Sequence, residues 1–117
     1  MTFDLRPIVI HNDDWLNECP DCGGNNLHQS HVSIFNNDGM FPEWDDSRGE
    51  YVNKAKTRVT HVMHDNTITT ARVPPSATNN PSSDRNGILI EFWCETCEEK
   101  PTMAILQHKG ITFIGWK

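Results

Sequence analysis

The sequence predicts an all-β, single-domain protein, and three observations carry that expectation. Apolar residues recur at alternate positions in short runs rich in Val, Ile and Thr, the period of a half-buried strand. No stretch holds an amphipathic helical period for more than about two turns, and there is no internal repeat or heptad. Two Cys-x-x-Cys pairs, Cys19/Cys22 and Cys94/Cys97, stand far apart, so a staple between distant segments is available. At 117 residues the chain is expected to form one domain, 1–117. The apolar share is 36%, about 42% with the seven glycines, below the roughly 45–50% of an average domain, so the core is small and a staple adds useful stability.

Taken in order, Pro7 to Ile10 is a short β-like run, and His11 to Leu16 can cap one helical turn. Cys19-Pro20-Asp21-Cys22-Gly23-Gly24 is a tight turn, after which His31 to Phe35 alternates as a strand does. Residues 36–50 are polar and acidic, with Asp38, Glu43, Asp45, Asp46 and Glu50 against Arg48 alone, and are expected to be a solvated loop that embeds Phe41 and Trp44. Tyr51 to Val73 is rich in Thr and Val, and Asp65-Asn66 divides it into a hairpin with strands near 57–64 and 67–73. Residues 74–87 hold three prolines among Ser, Thr and Asn, the composition of a mobile loop. Ile88 to Trp93 runs into Cys94 as a strand. Met103 to His108 and Ile111 to Trp116 then flank Lys109-Gly110 as a hairpin, with Gly110 supplying a positive φ. Alternation places Ile88, Ile90 and Phe92 on one face, with Leu106 and either Phe113 or Trp116 as partners.

The cysteines carry the strongest chemical signal. Each Cys-x-x-Cys turn can aim two sulfurs at one ion, and four thiolates complete the tetrahedron that Zn²⁺ prefers, so one structural zinc on Cys19, Cys22, Cys94 and Cys97 is expected. The same set suits iron, and three disulfide pairings are the alternative; a redox Cys-x-x-Cys needs a following helix that neither pair has. The interval of 71 residues between the knuckles requires tertiary structure to bring them together. Gly23 permits a left-handed backbone after the first knuckle, whereas Glu98 stands at the matching place in the second, which must find another geometry or bear strain.

CPDCGG, GILIEFWCETC and AILQHKGITFIGW together resemble the zinc-ribbon class, and more narrowly small proteins encoded by bacteria and their phages. The resemblance covers roughly 19–27 and 80–117, and 36–75 lies outside it. It implies a treble-strand zinc ribbon in a bacterial or phage cytoplasm, and no activity.

Charge and composition narrow the function. The net charge of −6 is uneven, with ten acids and two bases in residues 1–50 against six and eight in 51–117, and four thiolates around one Zn²⁺ take the total near −8. Non-specific binding to nucleic acid is disfavoured by that balance. No run approaches the ~20 apolar residues of a membrane span, and residues 1–10 lack the apolar stretch of a secretory signal, which points to an intracellular protein. Ser76, Ser82 and Ser83 lie in a polar loop without a nucleophile elbow, and no phosphate-binding glycine motif occurs, so no enzyme is expected. His28-x-x-His31 and His61-x-x-His64 invite a second metal, but residues i and i+3 of a strand face opposite sides, so surface histidines are expected; His108 is read as a turn histidine. The leading expectation is a protein-binding accessory factor anchored by Phe41, Trp44, Asp45 and Asp46. The alternative is a regulatory nucleic-acid ribbon using Lys54, Lys56, Arg58, Arg72 and Arg85.

Overall fold

The computed structural model of the protein describes residues 3–7, 14–82 and 85–117, so the expected strand through Ile10, the cap at His11 and Ser83 lie outside the described residues. Among the described residues seven strands form one sheet: β1 (Asp4–Pro7), β2 (Leu27–Asp45), β3 (Glu50–Val62), β4 (Ile68–Val73), β5 (Gly87–Cys94), β6 (Thr102–His108) and β7 (Ile111–Trp116). Their order is β1-β7-β6-β5-β2-β3-β4, and every neighbouring pair is antiparallel. The architecture is therefore all-β.

The turns follow local chemistry. Between β3 and β4, Asn66 takes φ 68° and Thr67 N–H donates to Asp65 Oδ1 at 3.0 Å, so the Asp-Asn pair makes the hairpin. Between β6 and β7, Lys109 (φ 50°) and Gly110 (φ 80°) both adopt the left-handed backbone that a two-residue turn needs to match strand twist.

The expected loop at 36–50 is instead strand, a correction to the reading from composition. β2 and β3 pair from Val32↔Val62 to Asp45↔Glu50, with a bulge between Asn37 and Met40, and only 46–49 turn. β5 leaves β2 at Phe35 and β4 leaves β3 at Thr57, so the remainder is a two-stranded arm. Polar residues suit an arm with no sheet neighbour on either side, and they meet across it or at its base: Lys56 Nζ lies 3.3 Å from Glu43 Oε2, and Arg72 Nε donates to Asp38 Oδ2 at 2.7 Å. At the tip, Asp45 Oδ1 accepts from Ser47 N–H (3.0 Å) and Oγ–H (2.6 Å), and Gly49 closes the turn at φ 64°.

The larger buried cluster lies on one face, and Met103 and Trp116 are buried on the other. Register aligns Phe35, Val59, Leu89 and Ala104 as a buried cluster, joined by Phe3, Leu5 and Val73. The connection from β4 to β5, with a short 3₁₀ turn at Pro75–Ala77, crosses this face; Pro81 Cγ would sit 2.9 Å from a Cβ at Gly87, and Ser82 is buried beneath it. Burying a side chain the size of Phe35 contributes about 2–3 kcal/mol. Ile88, Ile90 and Phe92 do share a face, but it is the opposite one. There Ile105 and Met103 stand across from Ile88 and Ile90, and the Trp116 ring packs edge-on to Phe92 at 5.4 Å. Leu106 pairs with Gly87 and Phe113 with Leu106, so both belong to the Leu89 face, because each strand's register decides the face and alternation alone cannot.

Candidate metal centre

The sheet brings the two knuckles together at one end. Leu27 pairs with Cys94 across β2 and β5, and Glu95 N–H donates to Asn26 O at 3.1 Å, so the chain leaving the first knuckle is tied to the chain entering the second. The segment before Cys19 is held by Trp116, whose Nε1–H donates to Trp15 O at 3.0 Å, and by the Arg6 guanidinium, 4.1 Å from the Trp15 ring centre.

The knuckles repeat one backbone pattern. In the first, Gly23 N–H donates to Cys19 O (2.8 Å) and Cys19 N–H to Gly24 O (2.7 Å); in the second, Glu98 N–H donates to Cys94 O (2.9 Å) and Cys94 N–H to Glu99 O (3.0 Å). Both need a left-handed residue after the second cysteine, filled by Gly23 at φ 76° and by Glu98 at φ 61°. Of the two outcomes open to Glu98, the second knuckle bears the strain.

All four sulfurs lie within 4.8 Å of one another, with Cys19 Sγ 3.7 Å from Cys97 Sγ and Cys22 Sγ 3.6 Å from Cys94 Sγ. Metal–sulfur bonds of about 2.3 Å at tetrahedral angles separate neighbouring sulfurs by about 3.8 Å, so the cluster fits one ion. Both separations exceed the ~2.05 Å of an S–S bond, and the cysteines are free. Cys19 and Cys94 are buried, Cys22 is exposed, and four protein ligands leave no open position; such a site contributes folding energy rather than chemistry.

Backbone amides prepare the sulfurs for ionisation. The Cys97 and Thr96 amides hydrogen-bond to Cys94 and hold its thiol at about 6 despite desolvation. Gly24 N–H reaches Cys22 Sγ at 3.4 Å and the Glu99 amide serves Cys97. Those amides lower each pKa, but desolvation and neighbouring sulfurs outweigh them, leaving Cys22 raised and Cys97 pushed up to about 12. Four sulfurs this close do not all release protons unaided, and a bound divalent cation would supply the missing attraction.

The expected anchor residues fall on two faces of the arm. Trp44 pairs with Tyr51 at a ring separation of 5.2 Å and donates Nε1–H to Asp46 Oδ1 at 2.7 Å; the two rings are 50% and 71% exposed, beside Met40 at 61%. Phe41 is on the other face, half-buried under the Arg72 guanidinium at 4.9 Å. Asp45 is occupied by the turn: the Ser47 hydroxyl, first among several donors, holds its carboxyl below the ordinary range. Among the basic residues, Arg58 and Arg72 both face Asp38 (3.8 and 2.7 Å), Lys56 faces Glu43, and Lys54 is exposed. Arg85 stands apart in the crossing connection, where its carbonyl accepts from Asn80 Nδ2–H at 2.8 Å.

One cluster escapes the strand-period argument. A bulge between Gln29 and His31 inserts a residue into β2, so His28 opposite Trp93 and His31 opposite Glu91 share a face. On that face His31 Nε2 meets His61 Nδ1 at 2.9 Å, although the two histidines are thirty residues apart. Only the bulge and the β2–β3 register could have announced this, and neither is written in local composition. Among the described residues no helix is long and apolar enough to cross a membrane. Set beside known proteins, the chain matches no family model, no curated protein and no solved structure.

Proposed function

We propose that the protein is a non-enzymatic interaction protein, a zinc-ribbon-like accessory factor of a bacterium or phage that acts in the bacterial cytoplasm and binds, and inhibits or redirects, a protein partner. Zinc is the ion assigned to the four cysteines, as structural support for the sheet that carries the arm. The observation that carries the reading is the Trp44–Tyr51 pair, two large exposed rings at the tip of a ribbon that no other strand flanks among the described residues. Aromatic side chains that lock into a partner's pocket dominate binding energy at protein interfaces, and the Asp46 bond pre-sets the Trp44 ring. Asp46 bonds the Trp44 ring, and Glu43 and Glu50 lie beside the pair in sequence on the other face of the arm, so the tip is acidic, which favours a partner with a basic rim.

The same geometry weighs protein above nucleic acid, because Lys56, Arg58 and Arg72 already face carboxylates. The test is affinity capture of zinc-loaded protein from a bacterial lysate, with and without nuclease, using wild type and a Trp44→Ala/Tyr51→Ala variant. A partner retained after nuclease and lost by at least ~10-fold with the variant supports the reading. Retention that disappears with nuclease, and weakens steeply between about 50 and 200 mM salt, overturns it.

A further inference from the structure

The four-cysteine centre leaves the histidines unused, and the pair on the covered face has the geometry of ligands. We propose that His31, His61 and Ser33 form a second metal site, distinct from the cysteines, for a divalent first-row transition-metal ion such as Ni²⁺, Co²⁺ or Zn²⁺.

Three donor atoms make a near-equilateral triangle: His31 Nε2 to His61 Nδ1 is 2.9 Å, Ser33 Oγ to His61 Nδ1 is 2.9 Å, and Ser33 Oγ to His31 Nε2 is 3.4 Å. A linear hydrogen-bond network does not explain all three edges. A ring nitrogen has one in-plane N–H or one lone pair, yet His61 Nδ1 has two partners about 70° apart, so a direction that serves both points between them. Ligands at about 2.1 Å from an octahedral ion are about 3.0 Å apart, and from a tetrahedral ion about 3.4 Å; the three edges span that range. Two imidazoles select the borderline transition metals over Mg²⁺ and Ca²⁺.

The surroundings suit a cation with exchangeable positions. The triangle lines a cavity of about 270 Å³ together with Glu91 and Thr102, and Glu91 stands directly across from His31 in the register. Glu91 Oε1 accepts a 3.3 Å bond from the Ser30 hydroxyl, and its carboxylate is placed to offset the ion's charge. Lys117 on the same rim opposes that charge, which keeps affinity modest. Ser33 is buried, and β2 and β3 fix the backbones of all three residues, so the donor set is preorganised.

The test uses untagged, full-length protein with its cysteine centre loaded with Zn²⁺, titrated with Ni²⁺ by equilibrium dialysis and elemental analysis. One Ni²⁺ per chain beyond the zinc is expected. His31→Asn/His61→Gln should lower that affinity at least ~10-fold while the zinc content stays at one. In the wild type alone, ¹⁵N spectra of the imidazoles should show His31 and His61 lost or shifted by Ni²⁺ ahead of His28, His64 and His108, a readout that survives poor folding of the variant. No Ni²⁺ beyond background, unchanged binding in a folded double variant, or perturbation confined to His28 and His64 would each overturn the assignment.

Discussion

Replacing Glu98 with glycine should stabilise the protein. Glu98 holds φ 61°, a left-handed conformation that costs an L-residue roughly 1–2 kcal/mol, and it does so because the second knuckle repeats the hydrogen bonds of the first. Glycine adopts that backbone freely but loses about 0.5–1 kcal/mol more conformational entropy on folding. The side chain is exposed and only its backbone amide, bonded to Cys94 O, has a stated role, so little else is lost. The net gain is about 0.5–1 kcal/mol. With an unfolding entropy of about 2.1 cal/mol/K per residue, this 117-residue chain should melt about 2–4 °C higher. The assay is thermal unfolding of zinc-loaded protein followed by circular dichroism, with Glu98→Ala as the control that removes the carboxylate and keeps the Cβ. Gly23→Ala supplies the mirror experiment, since it imposes the same strain at φ 76° in the first knuckle and, after the entropy regained by removing a glycine, should lower stability by about 0.5–1 kcal/mol. If Glu98→Gly melts at or below the wild-type temperature while Glu98→Ala matches it, strain at the knuckle is not the controlling quantity.

Cys94→Ser removes a fully buried ligand and leaves three sulfurs around the ion, so metal retention against a chelator should collapse and the melting temperature should fall by ten degrees or more, on the order of 3 kcal/mol. Gly115→Ala should cost about 1–3 kcal/mol, because a Cβ there overlaps the Asp4 carbonyl and comes within 2.9 Å of Leu5 Cα; faster hydrogen exchange confined to β1 and β7 is the signature. The pH dependence has a defined sign. Burial, then the charge of His31, lowers the His61 pKa below its ordinary 6.5, so the fold favours neutral imidazole. That contribution is complete above pH 6.5 and is lost as pH falls through 6.5 toward the folded value. The melting-temperature difference between wild type and His61→Gln should therefore shrink from about pH 7.5 to 5.5, with the acid sensitivity of the cysteine centre common to both proteins and cancelling.

Much of this architecture is legible before any coordinates. The metal ligands follow from two spacings, because a Cys-x-x-Cys turn is a local object whose geometry does not depend on the rest of the fold. The hairpins at Asp65-Asn66 and Lys109-Gly110 are equally local, since Asn66 and Gly110 are residue types that accept positive φ, although Lys109 also adopts one that its type does not announce. What stays hidden is non-local. Composition at 36–50 reads as a solvent-exposed loop, whereas the segment is a ribbon whose few apolar side chains, Met40, Trp44 and Tyr51, stay exposed, so polarity alone does not distinguish it from a loop. Alternation correctly groups Ile88, Ile90 and Phe92 and pairs them with Trp116, but it cannot tell that Leu106 belongs to the Leu89 face, because that depends on the register between β5 and β6. The His31–His61 meeting required both a bulge and a register, each a property of paired strands.

The position of the cysteine pairs has a consequence for how the molecule can be divided. Cleavage in the 46–49 turn would leave two pieces with one knuckle each: the first with β1 and β2, the second with β3 to β7. Neither piece holds a complete coordination sphere, and β2 has lost both of its sheet neighbours. Reassembly then restores strand pairing and metal ligation in the same event, so the two fragments should join when metal is supplied and separate when it is chelated.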